Sequence, residues 1–246
     1  MRTALITGCS SGYGLATARH FHARGWQVVA TMRRPRPDLF ADAPGIRVLP
    51  LDVTDAGSIA TLFEAAGPVD VLVNNAGIGM FGAFEATPMA SVREVFDTNT
   101  FGTMAMCQAA IARMRERGTG TVVNVTSSAT LAPFPLVAAY TASKTAIEGF
   151  TASLALELAA VGVRVKLVEP GYCPDTRFTV NGVARMVGLD AGPYASFAGQ
   201  VLAQFADGTA TTSPEDVADA VWRAATDVSL RLQFPAGADA VALCNG

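Results

Sequence analysis

Histidine is almost missing from this chain. His20 and His22 are the only two in 246 residues, and the four cysteines (Cys9, Cys107, Cys173, Cys244) stand far apart with no Cys-x-x-Cys or Cys/His spacing. That set argues against a metal site. Charge is scarce as well, at 16% of residues, and the net charge is −3. The basic residues are dispersed apart from one short cluster, so the strongly basic face of a nucleic-acid binder is not available. No apolar run reaches membrane-spanning length. No basic-then-apolar leader precedes the first apolar segment, Thr3–Ile6. These absences lead to the expectation of a soluble cytoplasmic protein with reduced thiols, and of no nucleic-acid or membrane partner.

Hydrophobic residues, by contrast, make up 50% of the chain. That is enough for a substantial core, with some apolar surface left over for contact between subunits. Short apolar runs alternate with helical patterns. Strands are expected at 3–6, 27–31, 46–49, 69–74, 121–125, 164–168 and 230–234. Helices are expected at about 12–24, 55–66, 91–117, 140–160 and 214–225, the last with Ser213 as its cap ahead of Pro214 and Glu215. Wholly apolar strands separated by helices indicate a parallel sheet covered on both faces. The expected fold is a single α/β domain spanning residues 1–246, a doubly wound Rossmann-type sheet of about seven parallel strands. Residues 171–210 are the least regular part and read as a flap over a site.

Four segments carry chemistry. Thr7-Gly8-Cys9-Ser10-Ser11-Gly12-Tyr13-Gly14 lies between the first strand and the first helix. Glycines there permit a tight turn and a close backbone approach to a diphosphate, and the helix N-terminus offers free N–H groups. Asn74-Asn75-Ala76-Gly77 ends the fourth strand, at the sheet edge where ligands bind in open α/β folds. The plain alternative is an Asn- and Gly-rich turn. Asn124-Val125-Thr126-Ser127-Ser128 brings hydroxyls to the same edge, or else simply caps the strand end. Tyr140 and Lys144 are one helical turn apart, so their side chains share a face. A phenol with a reference pKa of about 10 becomes a more useful acid and base beside an ammonium group. Tyr and Lys at this spacing also occur on ordinary helices.

These segments, in this order and joined by Pro170-Gly171 after the sixth strand, resemble the short-chain dehydrogenase/reductase family in its short single-domain branch. The resemblance covers essentially the whole chain. It implies that Tyr140 is the general acid/base, that Lys144 holds the nicotinamide ribose and lowers the tyrosine pKa, and that Ser127 bonds the substrate oxygen. Ser127 rather than Ser128 stands at the family's spacing, thirteen residues before the tyrosine. Asn99, in Asp97-Thr98-Asn99-Thr100, matches the family's helix asparagine, which holds a water linking the lysine to solvent; a surface Asn is the alternative. The cofactor is expected against Gly8, Ser10, Ser11, Gly12, Tyr13, Gly14, Asn75, Ala76, Gly77, Tyr140, Lys144, Pro170, Gly171 and Thr176.

The second strand is followed by Met32-Arg33-Arg34 and carries no acid at its end. NAD enzymes usually place Asp or Glu there for the ribose hydroxyls. Arg33 and Arg34 suit a 2′-phosphate and an adenine face instead, so NADP(H) is the expected cofactor; a solvated basic loop is the alternative. Asp52-Val53 matches the family's adenine-contacting pair, and Asp52 is equally suited to cap the following helix.

Two positions depart from the family pattern. Tyr13 stands where an aliphatic residue is usual. The carboxamide-binding threonine usually comes one residue before the position of Thr176. The pocket lining reads as Met80, Phe81, Phe84, Phe134, Pro135, Leu136, Tyr172, Phe178 and Met186, with only Arg177 and Arg185 as nearby bases. The expected activity is NADP(H)-dependent hydride transfer to or from a small hydrophobic ketone or secondary alcohol. The alternatives are a 3-oxoacyl-carrier-protein or steroid reductase, and a cofactor-binding sensor or scaffold without turnover. A homodimer or homotetramer is expected through the helices at 100–117 and 140–160, where small residues (Ala152, Ser153, Ala155, Ala159) suit close helix contact or intrachain packing.

Overall fold

The computed structural model describes residues 1–173, 185–187, 189, 192–207 and 212–245. Seven strands form one parallel sheet: β1 (Thr3–Ile6), β2 (Gln27–Met32), β3 (Ile46–Pro50), β4 (Val71–Asn74), β6 (Gly120–Val125), β7 (Val163–Pro170) and β9 (Gln233–Ala236), in spatial order β3-β2-β1-β4-β6-β7-β9. The order reverses beside β1, which places a crevice between the carboxyl ends of β1 and β4. A second, two-stranded sheet pairs β5 (Phe81–Gly82) with β8 (Met186–Val187).

The period-two alternation of each strand supplies both faces of the sheet. Ala4 and Ile6 join Val28, Val71, Val73 and Phe234 in the core beneath helices α1 (Gly12–Ala23) and α7 (Pro214–Thr226). Leu5, Val29, Leu72 and Val122 join the opposite core. That core is closed by α2 (Ala56–Ala66), α4 (Gly102–Arg117) and α5 (Ala138–Ala159). Helix α3 (Met89–Phe96) packs through Val92 and Val95 with Ala139 and Tyr140 of α5; α6 (Ala195–Asp207) and α8 (Ala238–Asn245) complete the helices used below.

Several sequence expectations shift. The last strand begins at Gln233 rather than at 230, because Leu230 is 99% exposed and the carbonyls of Ser229 and Arg231 turn toward Lys166 Nζ, at 2.7 and 2.6 Å. The helix expected at 91–117 starts at Met89 and widens into one π turn at Asp97–Phe101. Such turns recur at functional sites. Helix α5 starts two residues early, so Tyr140 sits in its first turn. Helices α6 and α8 and the β5–β8 pair carried no clear periodic signal. Of the expected flap, β8 pairs with β5, Arg185 ion-pairs with Glu94, and Tyr194 Oη donates to Glu85 at 2.8 Å. Thr176, Phe178 and Arg177 lie outside the described residues.

Candidate active site

The first βα turn is shaped for a backbone ligand. Gly8 has φ +75°, a left-handed conformation that favours glycine. A Cβ on it would lie 2.9 Å from Ala76 Cα, and one on Gly14 would collide with Gly8 O and Asn75 Nδ2. Ser11 caps α1 without using its hydroxyl for the cap, and no acid lies in the first turn of the helix. Ser10 is exposed, and Ser11, Gly12 and Tyr13 are half-buried. This turn fits a diphosphate, with free donors and no negative charge in the way.

Asn75 and Ala76 serve this turn directly. Their backbone N–H groups donate to Thr7 Oγ1 at 3.0 and 2.9 Å, and Asn75 Nδ2 donates to Thr7 O at 2.9 Å. The β4 loop and the β1 loop are thus one unit. Gly77 opens the space beside it: a Cβ there would lie 3.2 Å from Asn99 Oδ1 and 3.4 Å from Lys144 Nζ. Asn99 is not a surface residue. It is 1% exposed; its Oδ1 accepts from Ile78 N at 2.8 Å, and its Nδ2 donates to Ile78 O at 3.0 Å and to Ser143 Oγ at 3.1 Å. The carboxamide therefore ties the β4 loop to α5, a positioning role that the sequence reading did not foresee.

Ser127, Tyr140 and Lys144 converge at the ends of β6 and α5. Ser127 is half-buried and hydrogen-bonded to the Tyr140 side chain, and Ser128 is buried. Burial is the largest influence on the Tyr140 phenol and raises it to about 12; the Ser127 hydrogen bond acts in the opposite direction. Lys144 is buried, and desolvation lowers its ammonium to about 8, opposed by the Glu148 charge. Its Nζ donates to Val125 O at 3.0 Å. The lowering of the phenol by Lys144, expected from the one-turn spacing, is not seen in this arrangement: burial raises the phenol, and the Ser127 hydrogen bond rather than Lys144 opposes it. Beside the phenol, Met80, Val92, Val95, Ala129 and Ala139 form an apolar cluster joined by Phe134. Phe84 is 58% exposed and Pro135 is exposed, so these two form an outer rim. Leu136, at φ +63°, turns its carbonyl to Gly82 N at 2.7 Å.

Tyr13 does more than offer its backbone. Its Oη donates to Gly171 O at 3.1 Å, across the crevice, and its phenol interacts with Tyr140 and Cys173. Burial, with those neighbours, raises its pKa well above the ordinary value. Beyond Pro170 the turn at Gly171 is held by Asp239 of α8, which accepts from Tyr172 N at 2.6 Å and from Thr212 Oγ1 at 2.6 Å. Nothing in the sequence marked Asp239.

Arg33 and Arg34 are exposed just past β2. The Arg33 charge helps lower both Asp52 and Glu94, which places it at the rim shared by β3 and α3. Asp52 holds Thr54 through its backbone N–H (2.9 Å) and hydroxyl (2.7 Å). The cap of α2 is Asp55 instead, so the capping alternative for Asp52 fails. Val53 packs against Gly102, where a Cβ would lie 2.9 Å from its Cγ2. Among the described residues, no group of three or more His, Cys, Asp or Glu side chains could hold a metal ion.

Comparison with known proteins places this geometry. The sequence profile described as "short chain dehydrogenase" matches residues 2–185. An uncharacterized oxidoreductase of Bacillus subtilis, YusZ, is 34% identical over 250 residues, covering 96% of this chain and 89% of that protein. A short-chain dehydrogenase structure from Streptomyces avermitilis is 36% identical with a TM-score of 0.85, over 100% of this chain and 91% of that one. A closed form of serine dehydrogenase complexed with NADP+ is 25% identical with a TM-score of 0.79, over 96% of this chain and 94% of that one.

Proposed function

The chain belongs to the short-chain dehydrogenase family of oxidoreductases, and from that premise we propose that it is an NADP(H)-dependent carbonyl reductase or alcohol dehydrogenase acting on a hydrophobic ketone or secondary alcohol. The observation that carries the reading is the hydrogen-bonded Ser127–Tyr140 pair beside buried Lys144, facing the glycine turn at Gly8–Gly14.

A bound nicotinamide dinucleotide supplies or accepts the hydride. The rest falls to the chain. Ser10, Ser11 and the N–H groups of α1 would hold the diphosphate, with Gly12 and Gly14 allowing close approach. Arg33 and Arg34 would take the 2′-phosphate, and Asp52 and Val53 the adenine. Asn75, Ala76, Gly77, Pro170, Gly171 and Thr176 would border the ribose and the carboxamide. Ser127 and Tyr140 would donate hydrogen bonds to the carbonyl oxygen, where negative charge grows. A phenol near 12 is fully protonated at neutral pH, which is the state a proton donor needs. Once Tyr140 gives up that proton, the Lys144 cation stabilises the phenolate. Asn99 would keep the β4 loop and Lys144 in register.

The substrate class follows from the lining. Met80, Phe134 and Ala139 present carbon beside the phenol. Arg185 is ion-paired with Glu94 rather than offered to a phosphate arm, which favours an uncharged substrate over a carrier-bound one. For assembly, Phe101 (59% exposed) stands out from the π turn before α4, and Leu156 (81%) from α5 together with exposed Ala152, Ser153 and Ala159. Those small residues are not taken up by intrachain packing, and we assign them to a homodimer or homotetramer contact. The test is consumption of NADPH and of NADH with aryl and aliphatic ketones. The expected outcome is turnover of apolar ketones with preference for NADPH. Tight NADPH binding with no turnover across the panel would instead indicate a sensor.

A further inference from the structure

Helix α5 carries a third polar side chain on the face of Tyr140 and Lys144. Glu148 follows Lys144 by one turn, as Lys144 follows Tyr140. Its Oε1 accepts from Thr126 Oγ1 at 2.6 Å. The Thr130 hydroxyl sits between two acceptors, 3.0 Å from the same Oε1 and 2.6 Å from Ser127 O. Thr126 directly precedes Ser127, and Thr130 ends the single 3-10 turn, Ser128–Thr130, that Ser127 caps. One carboxyl oxygen thus bonds hydroxyls on both sides of the serine.

The turn has little to hold it by itself. A three-residue 3-10 turn makes few internal hydrogen bonds, and their geometry is poorer than in an α-helix. Upstream of it, Thr126 N donates to Val168 O at 2.8 Å and continues the β6–β7 ladder by one bond. Inside it, Ala129 N donates to Ser127 Oγ at 3.2 Å and Thr130 N to Ser127 O at 3.0 Å. Ala129 packs into the apolar cluster with Met80 and Val92, a contact without direction. Glu148 adds directional bonds from α5 to both threonines. The same helix carries Tyr140, whose side chain bonds Ser127. Glu148 therefore ties the serine's turn to the element from which the phenol projects.

We propose that Glu148 is a positioning residue for Ser127, its carboxyl clamping Thr126 and Thr130 so that the serine hydroxyl stays at the Tyr140 phenol, where the substrate oxygen docks. The role rests on Ser127 being the serine that bonds that oxygen in the proposed reaction. A donor already held in place needs no reorganisation as charge grows on the oxygen. A misplacement of about 1 Å, by contrast, costs about a hundredfold in rate. The glycine turn at Gly8–Gly14 is held by the β4 loop instead, through Thr7, Asn75 and Ala76. Loss of the clamp therefore acts on kcat and leaves cofactor binding in place.

Ketone turnover by the whole protein, with KM for NADPH measured beside kcat, tests the role. Glu148→Ala should lower kcat by about tenfold or more and change KM for NADPH by less than about twofold. Thr130→Val removes one bond of the clamp and leaves the Glu148 charge beside Lys144. It should lower kcat by a smaller factor, and Thr130→Ser, which keeps the hydroxyl, should restore it. That pair also serves if Glu148→Ala fails to fold. In a Ser127→Ala background the serine hydroxyl is gone, so Glu148→Ala should cost little further residual turnover. A contact acting on Lys144 or on general stability would cost as much there as in the wild type. Hydrogen exchange reads the clamp without turnover: the amides of Ala129 and Thr130 should exchange severalfold faster in Glu148→Ala, with those of β6 unchanged. Full multiplication of the two losses in the double variant, or unaltered exchange at Ala129 and Thr130, overturns the proposal. If the wild type turns over no ketone, or Ser127→Ala alone keeps full turnover, the catalytic reading of Ser127 fails, while the exchange still decides the clamp.

Discussion

At the scale of single residues, the site is a contest between burial and charge. Tyr140 and Lys144 are pushed toward their neutral forms by desolvation, while the Ser127 hydroxyl opposes it at the phenol and the Glu148 charge opposes it at the ammonium. Tyr13 adds a second phenol. Its bond to Gly171 O ties the first βα turn to the end of β7. Tyr13→Phe keeps the ring and removes that bond, at a cost of about 1 kcal/mol in stability. The account expects a several-fold rise in KM for NADPH with kcat changed less; equal KM values in the two proteins would show that the tie does not shape the cofactor site. Arg33 is the clearest test of cofactor choice. Arg33→Asp would remove the proposed charge-assisted contact with a 2′-phosphate, worth about 1.5–3 kcal/mol. It should shift the NADPH/NADH ratio of kcat/KM toward NADH by about tenfold or more; an unchanged ratio rejects the phosphate role. Spacing announced Tyr140, Lys144 and Ser127. Asp239, Glu148 and Glu169 act through contacts 18 to 67 residues apart in sequence, and no local pattern encodes those.

At the scale of elements, apolar periodicity was a good guide wherever an element buries a face. Strands β1, β2 and β6, and helices α1, α2 and α7, lie where the pattern puts them. It was a poor guide at the ends. The last strand slid by three residues because Lys166 draws the preceding carbonyls out of the ladder. The π turn at Asp97–Phe101 was hidden inside a continuous helical pattern, because one extra residue in a turn leaves composition unchanged. Asp55 rather than Asp52 caps α2, accepting from Gly57 N at 2.7 Å and Ser58 N at 3.3 Å. Asp55→Ala should therefore cost about 1 kcal/mol, seen as a lower Tm with kcat unchanged. A drop no larger than that of an exposed Asp→Ala control would contradict this cap.

At the scale of the whole molecule, the parallel sheet brings loops remote in sequence to one edge, and its dry layers carry a pH signature. Glu169 binds its proton more tightly folded than unfolded, with its pKa raised from 4.5 to about 7. Its contribution to stability is therefore complete below the unfolded value and is lost as pH rises through about 7. The lowered carboxylates Asp52, Glu94 and Asp227 act in the opposite sense in both proteins, so they cancel in a difference. The Tm of Glu169→Gln minus that of the wild type should grow between about pH 5 and pH 8; a constant gap would mean that Glu169 does not titrate there. No helix among the described residues is long and apolar enough to cross a membrane. The proposed reaction depends on one phenol. The most direct measurement is turnover of a ketone by Tyr140→Phe set beside its NADPH affinity from calorimetry. The account predicts loss of nearly all kcat with affinity close to that of the wild type, and substantial retained turnover would contradict it.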